Sequence, residues 1–276
     1  MALTLTLLLA GKVGWGQPLL IENFDYPIGQ LTDVNGGENV SGGNWVSYSG
    51  TELPLTVSAG SLTYSGYISS GIGNKIEVRY GSAEDAYRQF TEQTPGSTIY
   101  AAFIMNVSQT KGLIANTSTT GDYTIAFTPS SSTSILVGRV SLRAGSVANT
   151  FNLGIRATSS NTAANWIASD FPIGTPVLVV LKYELIDGDN NDVASIWVNP
   201  AIGPIEPTAD ATQTSTLKSE PEDLARITLR QGTNSFPGQI DGIRVATSWA
   251  EAVNGVPPTW TSSYPSLSNI LSSSAN

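Results

Sequence analysis

The stretch Pro176–Val198 reads PVLVVLKYELIDGDNNDVASIWV. Its first part, Pro176 to Leu185, is a continuous apolar run that becomes half-polar towards its end. That is the pattern of a long strand, buried at its start. Val193 to Val198 (VASIWV) is a second run of β-branched and aromatic residues, which favour strands. Between them, Ile186 to Asp192 is dense in Asp, Asn and Gly, the residues that tolerate tight turns. Strand, polar turn and strand predict an antiparallel hairpin.

Working outward, the same signal recurs. Ser97–Val107 reads STIYAAFIMNV and puts Ile99, Ala101, Phe103, Met105 and Val107 on one face with period two. Further strands are predicted at Leu19–Ile21, Tyr123–Phe127, Ile135–Leu142, Phe151–Arg156, Arg226–Arg230 and Gln239–Ala246. No segment carries a long helical period. Glu220–Ala225, with Ser219 as its cap, and Ser248–Val253 each suit one helical turn. Short strands separated by turn signals predict an all-β chain, a two-sheet antiparallel β-sandwich. One internal echo stands out: GRVSLRAGS from Gly138 and ARITLRQGT from Ala225. A single pair without a regular period reads as two similar hairpins rather than a repeat array.

Composition bounds the function. Hydrophobic residues make up 40% of the 276, enough for a core, and charged residues only 13%. The charged share is about half the usual value. Ser, Thr, Asn and Gly fill the difference, giving a neutral, hydroxyl-rich surface. The net charge of −9 argues against nucleic acid, which needs a basic patch, and against anionic lipid surfaces. It leaves calcium open. The chain has no cysteine, which removes thiol chemistry and cysteine-based metal sites and suits a bacterial exported protein that relies on its core. It has no histidine, which removes the usual serine triads, His-ligated zinc and His general bases.

Met1–Ala10 (MALTLTLLLA) has the length of a signal-peptide apolar region and is too short to span a bilayer, which needs roughly 20 residues. Gly14 and Gly16 precede Gln17 as a cleavage site would require. Residues 1–16 are therefore predicted to be a signal peptide, with a first β-strand as the competing reading. Residues 17–253 form the sandwich. Residues 254–276, with Pro257-Pro258 and many serines, read as a linker or the start of a following module. The expected location is secreted, extracellular or attached to the cell surface, and the chain is not expected to be an integral membrane protein.

Five segments carry a resemblance. They are IENFDYPIGQL (Ile21–Leu31), LTYSGYISSGIGN (Leu62–Asn74), LKYEL…NDVASIWVNP (Leu181–Pro200), ITLRQGT (Ile227–Thr233) and DGIRVATSWAEAV (Asp241–Val253). In this order the chain resembles exported bacterial surface proteins with a concanavalin A-like, laminin-G-like jelly-roll domain near the N-terminus. The resemblance implies a jelly-roll fold, a surface location and export like that of type IX secretion clients. It implies no particular activity.

Three functions compete. A glycan-binding or adhesive module needs exposed aromatics to cover sugar rings, with amides and backbone groups to hold hydroxyls. Trp45, Tyr48, Tyr64, Tyr67 and Trp166 are the candidates, while Trp197 and Trp249 sit among apolar residues and read as core. The ligand would be a polysaccharide or a neighbouring surface protein. A structural or assembly subunit of the envelope is the second function. A jelly-roll glycoside hydrolase is the third. It would need paired carboxylates about 5–5.5 Å apart on one strand face for a retaining mechanism. The strand motif Glu-x-Asp-x-x-Glu is missing, and Glu84/Asp85, Asp187/Asp189/Asp192, Asp210 and Glu220/Glu222/Asp223 lie in apparent loops. The domain is therefore expected to be non-catalytic. Calcium takes six to eight oxygens, and Asp187, Asp189, Asn191 and Asp192 are its candidate ligands. A polar hairpin turn explains the same residues. Asp241 is read as pinning the start of the last strand.

Overall fold

The computed structural model describes residues 17–81 and 83–255, so the predicted signal peptide and almost all of the predicted linker lie outside the described residues. In chain order the strands are β1 (Leu20–Glu22), β2 (Gly29–Gln30), β3 (Trp45–Ser49), β4 (Thr56–Ser58), β5 (Lys75–Val78), β6 (Asp85–Gln93), β7 (Thr98–Val107), β8 (Asp122–Thr128) and β9 (Val137–Ala144). They continue with β10 (Thr150–Arg156), β11 (Asn165–Trp166), β12 (Phe171–Pro172), β13 (Val177–Glu184), β14 (Val193–Val198), β15 (Ala211–Thr214), β16 (Leu224–Leu229) and β17 (Gly238–Ala246). One short helix, α1 (Trp249–Val253), follows.

The strands form two antiparallel sheets. The nine-stranded sheet runs β15-β14-β13-β7-β17-β5-β4-β2, with β1 also on β17. The eight-stranded sheet runs β11-β10-β9-β8-β16-β6-β3, with β12 also on β10. The predicted hairpin is β13–β14, paired from Val179↔Val198 to Glu184↔Val193. The architecture is a jelly-roll β-sandwich, as the sequence predicts.

The inner faces make the core. Ile99, Ala101, Phe103, Met105 and Val107 of β7, the predicted period-two face, meet Ile125, Phe127, Val140, Leu142 and Leu153 of the other sheet. The two outer faces differ. On the nine-stranded sheet, Tyr100, Ala102, Ile104, Leu178 and Val180 point away from the core yet are buried under Leu62, Tyr67, Trp249 and Val253. The Trp197 indole N–H donates to the Pro207 carbonyl at 2.9 Å and that of Trp249 to Gly203 at 3.0 Å, tying the covering segments down. Burial on both faces explains why PVLVVL does not alternate. Among the described residues the eight-stranded sheet has no such covering layer, and its polar outer face is largely closed by its own side chains. Outward from β8, β9, β10 and β16 point Thr124, Arg139, Ser141, Asn152 and Thr228, which are buried, and Arg156 and Arg226, which are half-buried.

Two expectations are corrected. Glu220–Ala225 is not helical. The Glu220 carboxylate instead accepts from the backbone N–H groups of Asn191 and Asp192, both at 3.3 Å, and strand β16 opens at Leu224. Asp241 lies inside β17 rather than at its start, where β17 shifts register against β7. Its carboxylate accepts from the Ser61 hydroxyl at 2.5 Å and the Leu62 N–H at 2.7 Å, clasping the covering segment. The helical turn at Ser248–Val253 is present as α1, and the Ser248 side chain accepts from the Glu251 N–H.

Candidate functional site

The uncovered face is built by alternation. In β9, Val140 and Leu142 face the core, so Arg139, Ser141 and Arg143 face outward. In β16, Ile227 and Leu229 face inward and leave Arg226 and Thr228 outward, with Arg230 just past the strand. Both strands pair with β8, so the two echoed sequences flank one central strand. Arg139 stands directly opposite Arg156 of β10.

Aromatic rings interleave with these arginines. Arg139 and Arg230 both pack on Tyr123, their guanidinium carbons 4.6 and 4.4 Å from its ring centroid. Arg226 lies 4.6 Å from the Tyr87 ring, and Tyr87 is 6.0 Å from that of Tyr48. Arg143 lies 3.9 Å from Trp166, whose indole N–H donates to the Thr119 carbonyl at 3.1 Å. Trp166 has room because Gly154 and Gly121 lack side chains. A Cβ would approach the ring to 2.9 Å from Gly154 and to 2.5 Å from Gly121.

The arginines are oriented mainly by backbone carbonyls. Arg139 donates to Leu136, Arg143 to Ser118, Arg156 to Asn161 and Ser159, and Arg226 to Pro129. Asp122 pairs with Arg230. Burial lowers the pKa values of Arg139, Arg143 and Arg156, because a guanidinium removed from water loses hydration. Burial also raises those of Tyr48 and Tyr123 and pushes Asp85, at the edge of this cluster, up to about 6. Next to Arg143 lies a shallow pocket of about 180 Å³ lined by Asn116, Asn152, Ser146 and Asp170.

The sequence-predicted aromatics divide. Tyr48 and Trp166 are on this face. Trp45 is core: it is 1% exposed, stacks on Phe24 and donates its indole N–H to Glu22 at 2.7 Å. Tyr67 is buried under the other sheet's cover, its hydroxyl 2.6 Å from the Gly242 carbonyl, and Tyr64 packs beside it. These three cannot meet a ligand held by the other two. The arginines went unrecognised in the sequence. Their signal was the echo itself, Arg-x-Ser-x-Arg and Arg-x-Thr-x-Arg, which alternation throws onto one face.

In the candidate calcium loop, Asp187 and Asp189 are exposed. Asp192 is turned inward, accepting from the Tyr183 hydroxyl at 3.0 Å and the Ile186 N–H at 2.7 Å, and burial raises its pKa to about 6. The Asn191 amide donates to the Asp187 carbonyl at 2.8 Å. These contacts are those of a hairpin turn, and the described residues contain no group of three or more acidic side chains placed to hold a metal ion. Glu84 is in a loop, as expected, but is not solvated, and Asp85 is not in a loop. Glu84 is buried and accepts from the Leu55 N–H at 2.8 Å, while Asp85 opens β6 and accepts from the Gln231 N–H at 2.8 Å.

Among the described residues, the fold and site define a jelly-roll sandwich with one outer face covered by other segments and the other polar, arginine-rich and aromatic. Neither a protein-family model nor a curated protein matches the sequence. Among solved structures the chain is similar to the alginate lyase Aly36B, with 11% identity, 83% of this chain and 97% of that one covered, and a TM-score of 0.50. Domain 4 of AbnA, a GH43 extracellular arabinanase from Geobacillus stearothermophilus in complex with arabinotriose, has 13% identity, 88% and 99% coverage and a TM-score of 0.45. The Emp47p carbohydrate recognition domain has 9% identity, 86% and 100% coverage and a TM-score of 0.38. At these identities the likeness is one of fold.

Proposed function

We propose that this domain is a non-catalytic glycan-binding module of the cell exterior that takes its ligand on the open face of the eight-stranded sheet. The observation that carries the reading is the contrast between the two outer faces. The covered one spends Tyr67, Trp197 and Trp249 on packing. The other leaves Tyr48, Tyr87, Tyr123 and Trp166 partly exposed beside the half-buried guanidiniums of Arg143, Arg156, Arg226 and Arg230, over a buried layer of Thr124, Ser141, Asn152 and Thr228. Rings of this kind cover the apolar faces of sugars, and fixed polar groups select their hydroxyls. From β10 to β3 the face crosses six strands, about 24 Å at ordinary strand spacing, a length suited to a polymer. The raised pKa values of its tyrosines keep them protonated near neutrality, which suits binding better than proton abstraction. The alginate lyase shares the fold alone, so the reading rests on this chain's own side chains.

The exterior location is supported by the leader-like Met1–Ala10, by the resemblance to exported surface proteins and by the absence of cysteine. Type IX-like export rests on that resemblance. No helix among the described residues is long and apolar enough to cross a membrane.

Affinity electrophoresis through gels cast with soluble polysaccharides tests the proposal. At least one should retard the protein, and Trp166→Ala should release it. If none retards it and the protein instead self-associates, an assembly subunit becomes the better reading. Depolymerisation of a retarding glycan would refute the non-catalytic part.

A further inference from the structure

We infer that the glycan is anionic, carrying carboxylates or sulfates, and that the arginine rows of β9, β10 and β16 read those charges. This rests on the glycan-binding reading and adds the ligand's charge.

The first observation is distribution. The chain carries −9, yet five of its eight arginines gather on this face: Arg139, Arg143, Arg156, Arg226 and Arg230. None of the strands β3, β6, β8, β9, β10 or β16 contains a lysine. The selection is for the guanidinium fork, which binds a carboxylate or sulfate through two parallel hydrogen bonds, and not for positive charge in general.

The second is that four of the five arginines have no carboxylate in ion-pair range among the described residues, although Arg143 feels the more distant charge of Asp170. Among the described residues, Arg230 is the one member with a carboxylate in ion-pair range, Asp122. The other carboxylates near the cluster are engaged by backbone or hydroxyl donors: Asp85 by the Gln231 N–H and Asp170 by Ser146. The carbonyls that hold the arginines aim them without neutralising them.

The third is the placement of Arg139 opposite Arg156 across β9 and β10. Like charges directly opposite in a sheet destabilise it. Arg139 also feels the charge of Arg230. Arg139 is buried, so an oxyanion held by the half-buried Arg156 and Arg230 would offset their repulsion with it. The spacing fits repeating charges. β9 and β16 flank β8, so their rows lie two strand spacings apart, about 10 Å, while Arg139 and Arg143 are about 14 Å apart along the strand. A single anion cannot meet both rows, whereas a polymer lying across the strands meets each in turn.

Calorimetric titration tests this with three ligands of matched length: an oligouronate, the same oligosaccharide with its carboxyls reduced to alcohols, and a sulfated galactan oligosaccharide. The oligouronate, the sulfated galactan or both should bind. The reduced form should bind at least roughly tenfold more weakly, the loss expected for one charge-assisted hydrogen bond. Arg143→Gln and Arg226→Gln should each weaken the anionic ligand several-fold. Lys218→Gln, which removes an equal charge from an exposed loop, should not. Melting curves of all three variants show whether they are folded. If the reduced oligosaccharide binds as tightly as its parent and the arginine variants match wild type, the face binds neutral glycans and this inference falls while the binding reading stands. If none of the three binds and no neutral polysaccharide retards the protein, both fall.

Discussion

At the scale of single residues, the molecule holds two kinds of charge. One kind is structural. Glu22 is 2% exposed and satisfies the Phe24 N–H at 2.7 Å, the Tyr26 hydroxyl at 2.8 Å and the Trp45 indole, while pairing with Arg88. Glu22→Ala should cost about 3–5 kcal/mol, because it strands a half-buried guanidinium and an indole N–H. Urea unfolding checks this, and a cost below about 1 kcal/mol would show that water replaces the carboxylate. The other kind is the arginine face, where backbone carbonyls orient the charge and only Arg230 has an ion-pair partner among the described residues. The same node explains why Trp45 was misread. In GGNWVSYSG it sits in what looks like an open polar loop, and nothing local reveals an acceptor that lies 23 residues away in sequence. Arg139 and Arg143 were legible as a period-two pair. What β9 would pair with was not legible, because register between distant strands leaves no mark in either strand alone.

Among the elements, strands buried on one or both faces were readable because apolar runs dominate them, as in β7, β13, β14 and β17. β6, DAYRQFTEQ, lacks a clean alternation because Arg88 interrupts the inward row of Ala86 and Phe90 while the aromatic Tyr87 faces outward. β2 to β5 are short and their apolar residues few. The covering layer over the nine-stranded sheet was also hidden, since its segments are loops whose burial depends on the sheet beneath. Trp249→Ala should cost about 3–5 kcal/mol, because its ring meets Trp197 at 5.2 Å and Tyr100 at 6.4 Å. Chemical denaturation measures it, and a cost under about 1 kcal/mol would mean that α1 contributes little to the cover. On the opposite sheet, Gly121 has φ +65° and its absent Cβ would crowd Trp166 and the Leu142 carbonyl. Gly121→Ala should therefore move the Trp166 ring, shifting its emission and weakening glycan binding. Unchanged emission and binding would show that the ring does not depend on this opening.

For the molecule as a whole, burial sets the pH response. Asp85, Asp192 and Asp241 each titrate near 6 in the fold, raised by burial from an ordinary value of 3.8. Between those values the native state binds more protons than the unfolded chain, so stability falls as pH rises through the window. The melting temperature should be higher at pH 4.5 than at pH 7, and a lower one would show that these acids are better solvated than their burial implies. The same architecture divides labour between the faces: one sheet is apolar on both sides and covered by other segments, the other is apolar inside and polar and aromatic outside. The central claim is that the open face receives a glycan. Backbone and indole N–H resonances followed by NMR during titration with a retarding oligosaccharide test it most directly. The account expects shifts at Trp166, Ser141, Thr228 and Tyr123, with none at Trp249 or Asp189. Shifts confined to the Ile186–Asp192 turn or the covering layer would contradict it.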